Sequence, residues 1–174
     1  MTWTDEPLAS GLATVDVAYH MFYLAEPDTF DPNPVAAENG LVFSRRGIAV
    51  VITGASSGLV NVAVEVYPRT PKVTDFAGWD DVVDHSFHAH LGRVQVVAPV
   101  SDLPDLPCVT PSGPGHYRLR VHARGRDNAP DAVAFEPAED YLVQVWPHEP
   151  QPDLVHRQTD LYGAQWRETN AGRN

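Results

Sequence analysis

Residues 50–66, VVITGASSGLVNVAVEV, hold the stretch whose reading decides the fold. An apolar run enters Gly54-Ala55-Ser56-Ser57-Gly58, a turn of the kind whose backbone N–H groups can cradle a phosphate when a helix starts behind it. Here no helix is expected to start. LVNVAVEVY (59–67) places the β-branched residues Val60, Val62, Val64 and Val66 at every second position. Such residues lose side-chain freedom in a helix and pack well on a pleated surface, so the segment reads as a strand. The expectation is a hairpin, in which a five-residue loop with two glycines joins antiparallel neighbours.

Taken alone, VVITGASSGL resembles the opening glycine motif of short-chain dehydrogenases. That pattern requires a third glycine two residues beyond the second, where backbone approaches the pyrophosphate closely. Val60 occupies that position. Tyr67 and Lys72 are also one residue too far apart for the Tyr-x-x-x-Lys pair of that family. The stretch is therefore read as a bend between strands, with no cofactor.

Period-two alternation extends in both directions from this stretch. TVDVAYHMFYL (14–24), LVFSR (41–45), IAVVIT (48–53), VVDHSFHAH (82–90), RVQVV (93–97), HYRLRVHARG (116–125) and YLVQVWP (141–147) complete a set of about eight strands. In the first of these, Val15, Val17, Tyr19, Met21 and Tyr23 share one face if the strand is continuous. Prolines and glycines are spread along the chain, as suits short elements joined by turns. PVAAENG (34–40) and DFAGWDDVV (75–83) are too short for more than a turn or two of helix. The expected fold is all-β, a two-layer antiparallel β-sandwich over residues 1–147 with few or very short helices. Its core draws on Val17, Tyr19, Val62, Val64, Phe87, Tyr117, Leu119, Val121, Val143 and Val145. Residues 148–174 form a polar extension, and Leu154, Leu161, Tyr162 and Trp166 predict that it docks on the body or on a partner.

The chain has 174 residues, 43 % of them hydrophobic, and a net charge of −11. Seven acids and no Lys or Arg lie between Asp5 and Glu38, a balance that disfavours nucleic acid and anionic lipid and suits solubility or a basic protein partner. The single cysteine, Cys108, rules out an intramolecular disulfide framework. With no secretory leader and no apolar run of spanning length in view, a cytoplasmic, membrane-free protein is expected.

Two strands carry candidate chemistry. In DHSFHAH (84–90), Asp84, Ser86, His88 and His90 project from one face, and two histidines at i and i+2 on a strand can share one divalent metal ion. His20, His116, His122 and Glu65 are candidates for a further ligand. The bland alternative is a solvated histidine face with Phe87 in the core. In GPGHYRLRVHARGRD (113–127), His116, Arg118, Arg120, His122, Arg124 and Arg126 form one row opposite Tyr117, Leu119, Val121 and Ala123. Arginine's planar fork suits phosphate or carboxylate, so Arg118, Arg120, Arg124 and Arg126 are candidates for an anion-binding stripe. The alternative is an internal ion ladder with Glu136, Glu139 and Asp140, which would relieve the repulsion within the row.

VAYHMFYL (17–24), SFHAHLGRVQVV (86–97) and GHYRLRVHARG (115–125) resemble, in order and pattern, strands of the competence-associated nuclease inhibitors, the ComJ-like proteins. That resemblance implies a sandwich-like protein that restrains a nuclease, with no catalytic residues to carry over. The expected function is accordingly a non-enzymatic binding protein, of inhibitor or immunity type, for a basic partner such as a nuclease. A metal-dependent small-barrel enzyme at His88 and His90 and an anion-binding module on the arginine strand are the alternatives.

Overall fold

The computed structural model describes residues 5–29, 37–45, 47–72 and 75–171. Its strands are β1 (Ala9–Ala18), β2 (Met21–Ala25), β3 (Val42–Arg45), β4 (Ile48–Ile52), β5 (Ser57–Val66), β6 (Asp81–Ala89), β7 (Gln95–Val97), β8 (Gly115–Arg124), β9 (Val133–Ala134), β10 (Asp140–Pro147) and β11 (Leu154–Gln158). One helix, α1 (Leu161–Ala171), follows β11.

All-β is right, but the two-layer antiparallel sandwich is not. The strands join a single sheet in the order β11-β6-β8-β10-β5-β1-β2-β4-β3, with β7 beside β2 and β9 beside β5. This sheet is mixed, because β10 and β9 both run parallel to β5. It curls into a half-barrel, so that β3 returns toward β6, where Ser44 Oγ lies 2.8 Å from His85 Nε2. Curling lets one sheet close its apolar face on itself. Val15, Val17, Phe22, Leu24, Val60, Val62, Val64, Val121 and Val143 fill one continuous core. Alternation in a sequence marks which side chains face inward, and it reads the same for two packed sheets as for one rolled sheet.

The hairpin expected at Gly54–Gly58 is also corrected. β4 and β5 are not neighbours, since the β1–β2 pair lies between them. TVDVAYHMFYL is therefore two strands, reversed at Tyr19 and His20, whose φ values of 55° and 61° are those of a tight I′-type hairpin turn. Tyr19 consequently sits outside the core at 73 % exposure. The 53–56 connection passes around this hairpin tip: Thr53 N–H donates to His20 O (2.8 Å) and His20 N–H donates to Ser56 O (3.1 Å).

The loop does hold an anion, and the anion belongs to the chain. Glu139 Oε1 accepts the Gly54 N–H at 2.7 Å, and Oε2 accepts the Ala55 N–H at 3.1 Å. Burial pushes the Glu139 carboxyl above its ordinary value, and these two N–H groups work against that shift. A Cβ at Gly54 would lie 2.4 Å from Arg126 O and 2.6 Å from Glu139 Oε1, so the contact requires glycine.

A buried ionic cluster ties the region after Pro147 to the sheet. Arg126, fully buried, donates from Nε to Asp160 Oδ2 (2.6 Å), from Nη2 to Asp160 Oδ1 (2.9 Å) and Asp81 Oδ2 (3.1 Å), and from Nη1 to Gly40 O (2.9 Å). Asp160 caps α1 by accepting the Gly163 N–H (2.8 Å), and Asp127 accepts those of Leu161 and Tyr162. Arg126→Met leaves Asp160 buried without its cation and Asp81 with only Arg167 at 3.9 Å, and should destabilise the fold by about 3–5 kcal/mol in urea unfolding. A loss below about 1 kcal/mol would show that the cluster does not hold α1 to the sheet.

Candidate functional site

The half-barrel has a second apolar surface on the far side of β2, β4, β3 and β7. Pairing registers set its layout, because directly paired residues of adjacent strands project to the same face. One rung reads Gln95–Ala25–Ile48–Arg45 across β7, β2, β4 and β3. The next reads Val97–Tyr23–Val50–Phe43, and Met21 lies one rung further along β2 on the same face. Alternate residues of the same strands, Phe22, Leu24, Ala49 and Val51, belong to the main core. The outer set forms its own apolar cluster.

This cluster floors a cavity of about 720 Å3, rimmed by Tyr19, Leu103, Pro99 and the Glu26–Thr29 segment. Its members differ in chemistry. Tyr19, Pro99 and Leu103 add to its apolar lining, while Arg45 and Gln95 lie on the Ala25 rung and Glu26 and Asp28 complete its charged members. Glu26 is engaged elsewhere: its carboxylate accepts the N–H groups of Leu91 (2.9 Å), Gly92 (3.2 Å) and Arg93 (3.0 Å). Arg45 is half-buried with its guanidinium carbon 5.7 Å from the centre of the Phe43 ring. Among the described residues no carboxylate lies within ion-pair distance of it. Midway along the floor, burial and the neighbouring Tyr19 push the Tyr23 hydroxyl above its ordinary value.

The sequence-based reading missed this surface, although a signal was present. IAVVI (48–52) is apolar at every position, which marks a strand buried on both faces.

The histidine strand brings a different set together from the one expected. His88 pairs with His116 across β6 and β8, and the His88 ring centre lies 4.6 Å from that of His116 and 4.8 Å from that of His90. Asp84 is buried away from them, its carboxylate held by Arg120 Nε (2.7 Å) and Nη2 (3.0 Å) and facing His156 Nε2 at 3.1 Å. Among the described residues, no group of three or more His, Cys, Asp or Glu side chains has the geometry to hold a metal ion.

On β8 and just after it, every arginine of the row is engaged within the protein. Arg118 donates to Ser86 Oγ (2.8 Å) and to the carbonyls of Gln151 (2.8 Å) and Pro152 (2.7 Å). Arg120 pairs bidentately with Asp84, and Arg124 pairs with Asp140 (2.9 Å) while lying over the Trp79 ring. Arg126 is the buried cation described above. Of the three acids expected to pair with the row, Asp140 does so and Glu139 serves the 54–55 loop. The acids of the Asp5–Glu38 segment are partly occupied as well, with Asp5 accepting the Lys72 N–H (2.8 Å) and Asp16 the Ser101 hydroxyl (2.9 Å). Asp31 of that segment lies outside the described residues.

No family model matches the chain, and no curated protein matches it. Among solved structures, the protein named Crocagin biosynthetic gene J is similar at 13 % identity and a TM-score of 0.47, over 82 % of this chain and 100 % of that one. At this level of similarity no property of that protein transfers to this chain.

His122, on the same face of β8, is buried beneath Phe76 and Trp79, with Nδ1–H donating to Leu142 O (2.9 Å). Burial holds its pKa below the ordinary histidine value, and the Arg120 charge adds to that. The unfolded chain therefore takes up a proton first as pH falls through about 6.5, and stability drops in the window between that value and the lower folded one. In His122→Gln the difference from wild type should show this loss removed, giving a flatter stability profile between about pH 7 and pH 5. Parallel profiles for the two proteins would contradict it.

Proposed function

We propose that this chain is a non-catalytic binding protein whose ligand is a small molecule with an apolar body, held in the cavity over β2, β3, β4 and β7. One observation carries the reading: a cavity of about 720 Å3 is floored by Met21, Tyr23, Phe43, Ile48, Val50 and Val97. Small-molecule sites are mostly apolar concavities of about 300–1,000 Å3 with a few placed polar groups, and this one has both parts. The apolar floor is set by backbone pairing in four strands rather than by loops, so it is largely formed before a ligand arrives. Burying a ligand methylene on such a floor contributes about 0.8 kcal/mol, which makes a chain of several carbons sufficient for measurable binding.

An inhibitor or immunity-type role shares the non-catalytic character of this reading but would draw on the acidic segment before Glu38. Asp5, Asp16 and Glu26 there are bound to the chain's own N–H and O–H groups, which favours the cavity as the working part. Each predicted pairing of this acidic segment with a basic partner would also be weakened by salt, whereas binding of an uncharged probe in the cavity should vary little.

The neutral fluorescent probe N-phenyl-1-naphthylamine should bind with one-to-one stoichiometry and an emission increase. Met21→Trp, one rung beyond Tyr23 on β2, and Val97→Trp, beside Tyr23 on β7, should each weaken it at least about tenfold, with thermal midpoints close to wild type. Absence of saturable binding, or binding untouched by both substitutions in folded protein, would overturn the reading.

A further inference from the structure

Resting on the cavity reading, we propose that the ligand is an amphipathic anion whose carboxylate, or a similar oxyanion, is taken by Arg45 while its apolar chain runs along the Tyr23 row toward Met21. The assignment comes from how charge is distributed along the cavity. Its rung Val97–Tyr23–Val50–Phe43 carries no charge, and the Tyr23 hydroxyl is its one polar group. The adjoining rung carries Arg45 at its β3 end and Gln95 at its β7 end, so the cation of the floor lies on the Ala25 side, at the β3 edge.

Arg45 differs from the other arginines for which partners have been described. Arg118, Arg120, Arg124 and Arg126 spend their N–H groups on carbonyls or carboxylates of the chain. Arg45 is half-buried at an apolar wall, with the Phe43 ring beside it and, among the described residues, no carboxylate within 4.0 Å. Glu26, in the same lining, is committed to three backbone N–H groups and makes no ion pair with Arg45. A partly desolvated guanidinium whose N–H groups meet no carboxylate among the described residues favours a bidentate oxyanion over water, and such charge-assisted bonds are the stronger kind.

Arg45 also lines a second cleft of about 250 Å3, shared with Ser44, Gly47, Phe87, His88 and His90. The anionic head therefore meets a surface that continues into donors on β3 and β6. A second carboxylate at the far end of the chain would fall on the apolar surface around Met21 and Val97, which points to a single-headed anion over a dicarboxylate.

The test displaces N-phenyl-1-naphthylamine with octanoate and with 1-octanol, equal in chain length, at about pH 7.5, where the carboxylate is ionised. In wild type, octanoate should compete more tightly than octanol. Arg45→Gln should weaken octanoate at least about tenfold and reverse that order, while octanol and the probe itself change less than about twofold. Arg45→Lys should retain part of the preference, and octanedioate should compete less well than octanoate. Equal competition by acid and alcohol in wild type, or an octanoate affinity unchanged by Arg45→Gln, would overturn the anion assignment. Both of those results leave probe binding intact, which separates them from failure of the cavity reading, where the probe itself does not bind.

Discussion

Strand β4 is apolar on both faces, and the rest of the molecule is arranged to cover both. All five of its residues, Ile48 to Ile52, are buried. Ala49 and Val51 enter the core of the half-barrel, and Ile48, Val50 and Ile52 face the other way. A buried aliphatic side chain of this size contributes about 1.5–3 kcal/mol, so neither face can be left to water without a large loss. The curl of the sheet covers the first face. On the second, Ile52 is met by Ala37 and Tyr162, while Ile48 and Val50 form the cavity floor. The same strand thus supplies structural core on one side and a binding surface on the other.

Polar groups fix the strands that carry this surface. The Glu139 carboxylate pins the 54–55 turn, through which β4 crosses to β5 around the β1–β2 tip. Arg126 reaches the carbonyls of Gly40 and Ile52, just before β3 and at the end of β4, and joins them to Asp160 at the start of α1. Buried charges of this kind stabilise little beyond a well-packed apolar replacement, yet losing one partner is severe. Their consequence here is geometric: the polar end of the cavity lies two residues before Gly47, on a hairpin whose flanking backbone is held by the interior of the protein.

Much of the strand content was legible because alternation reports burial directly. Val60, Val62, Val64 and Val66 are all buried as LVNVAVEVY suggests, and Val121, Val143 and Val145 follow the same rule. Strand partners were not legible, since period two says nothing of which strand lies alongside. β5 therefore pairs with β1, β10 and β9 and leaves β4, to which the turn connects it. The Tyr19–His20 reversal was hidden because it carries neither glycine nor proline, although both residues have positive φ. Helix α1 was hidden for a related reason: LYGAQWRETNA has a weak apolar stripe, and its start depends on Asp127 and Asp160 and on contact with distant Arg126. Arg45 gave no signal in the sequence, because its distinction is that no carboxylate of the described residues forms an ion pair with it, while the arginine-rich row is a conspicuous pattern whose members are occupied.

Methyl-resolved NMR during a titration with octanoate tests the central claim most directly. The two-faced strand predicts saturable shifts for the methyl groups of Met21, Ile48, Val50 and Val97, with those of Val15, Val62 and Val121 nearly unmoved. Shifts spread evenly over both sets, or confined to the half-barrel core, would contradict it.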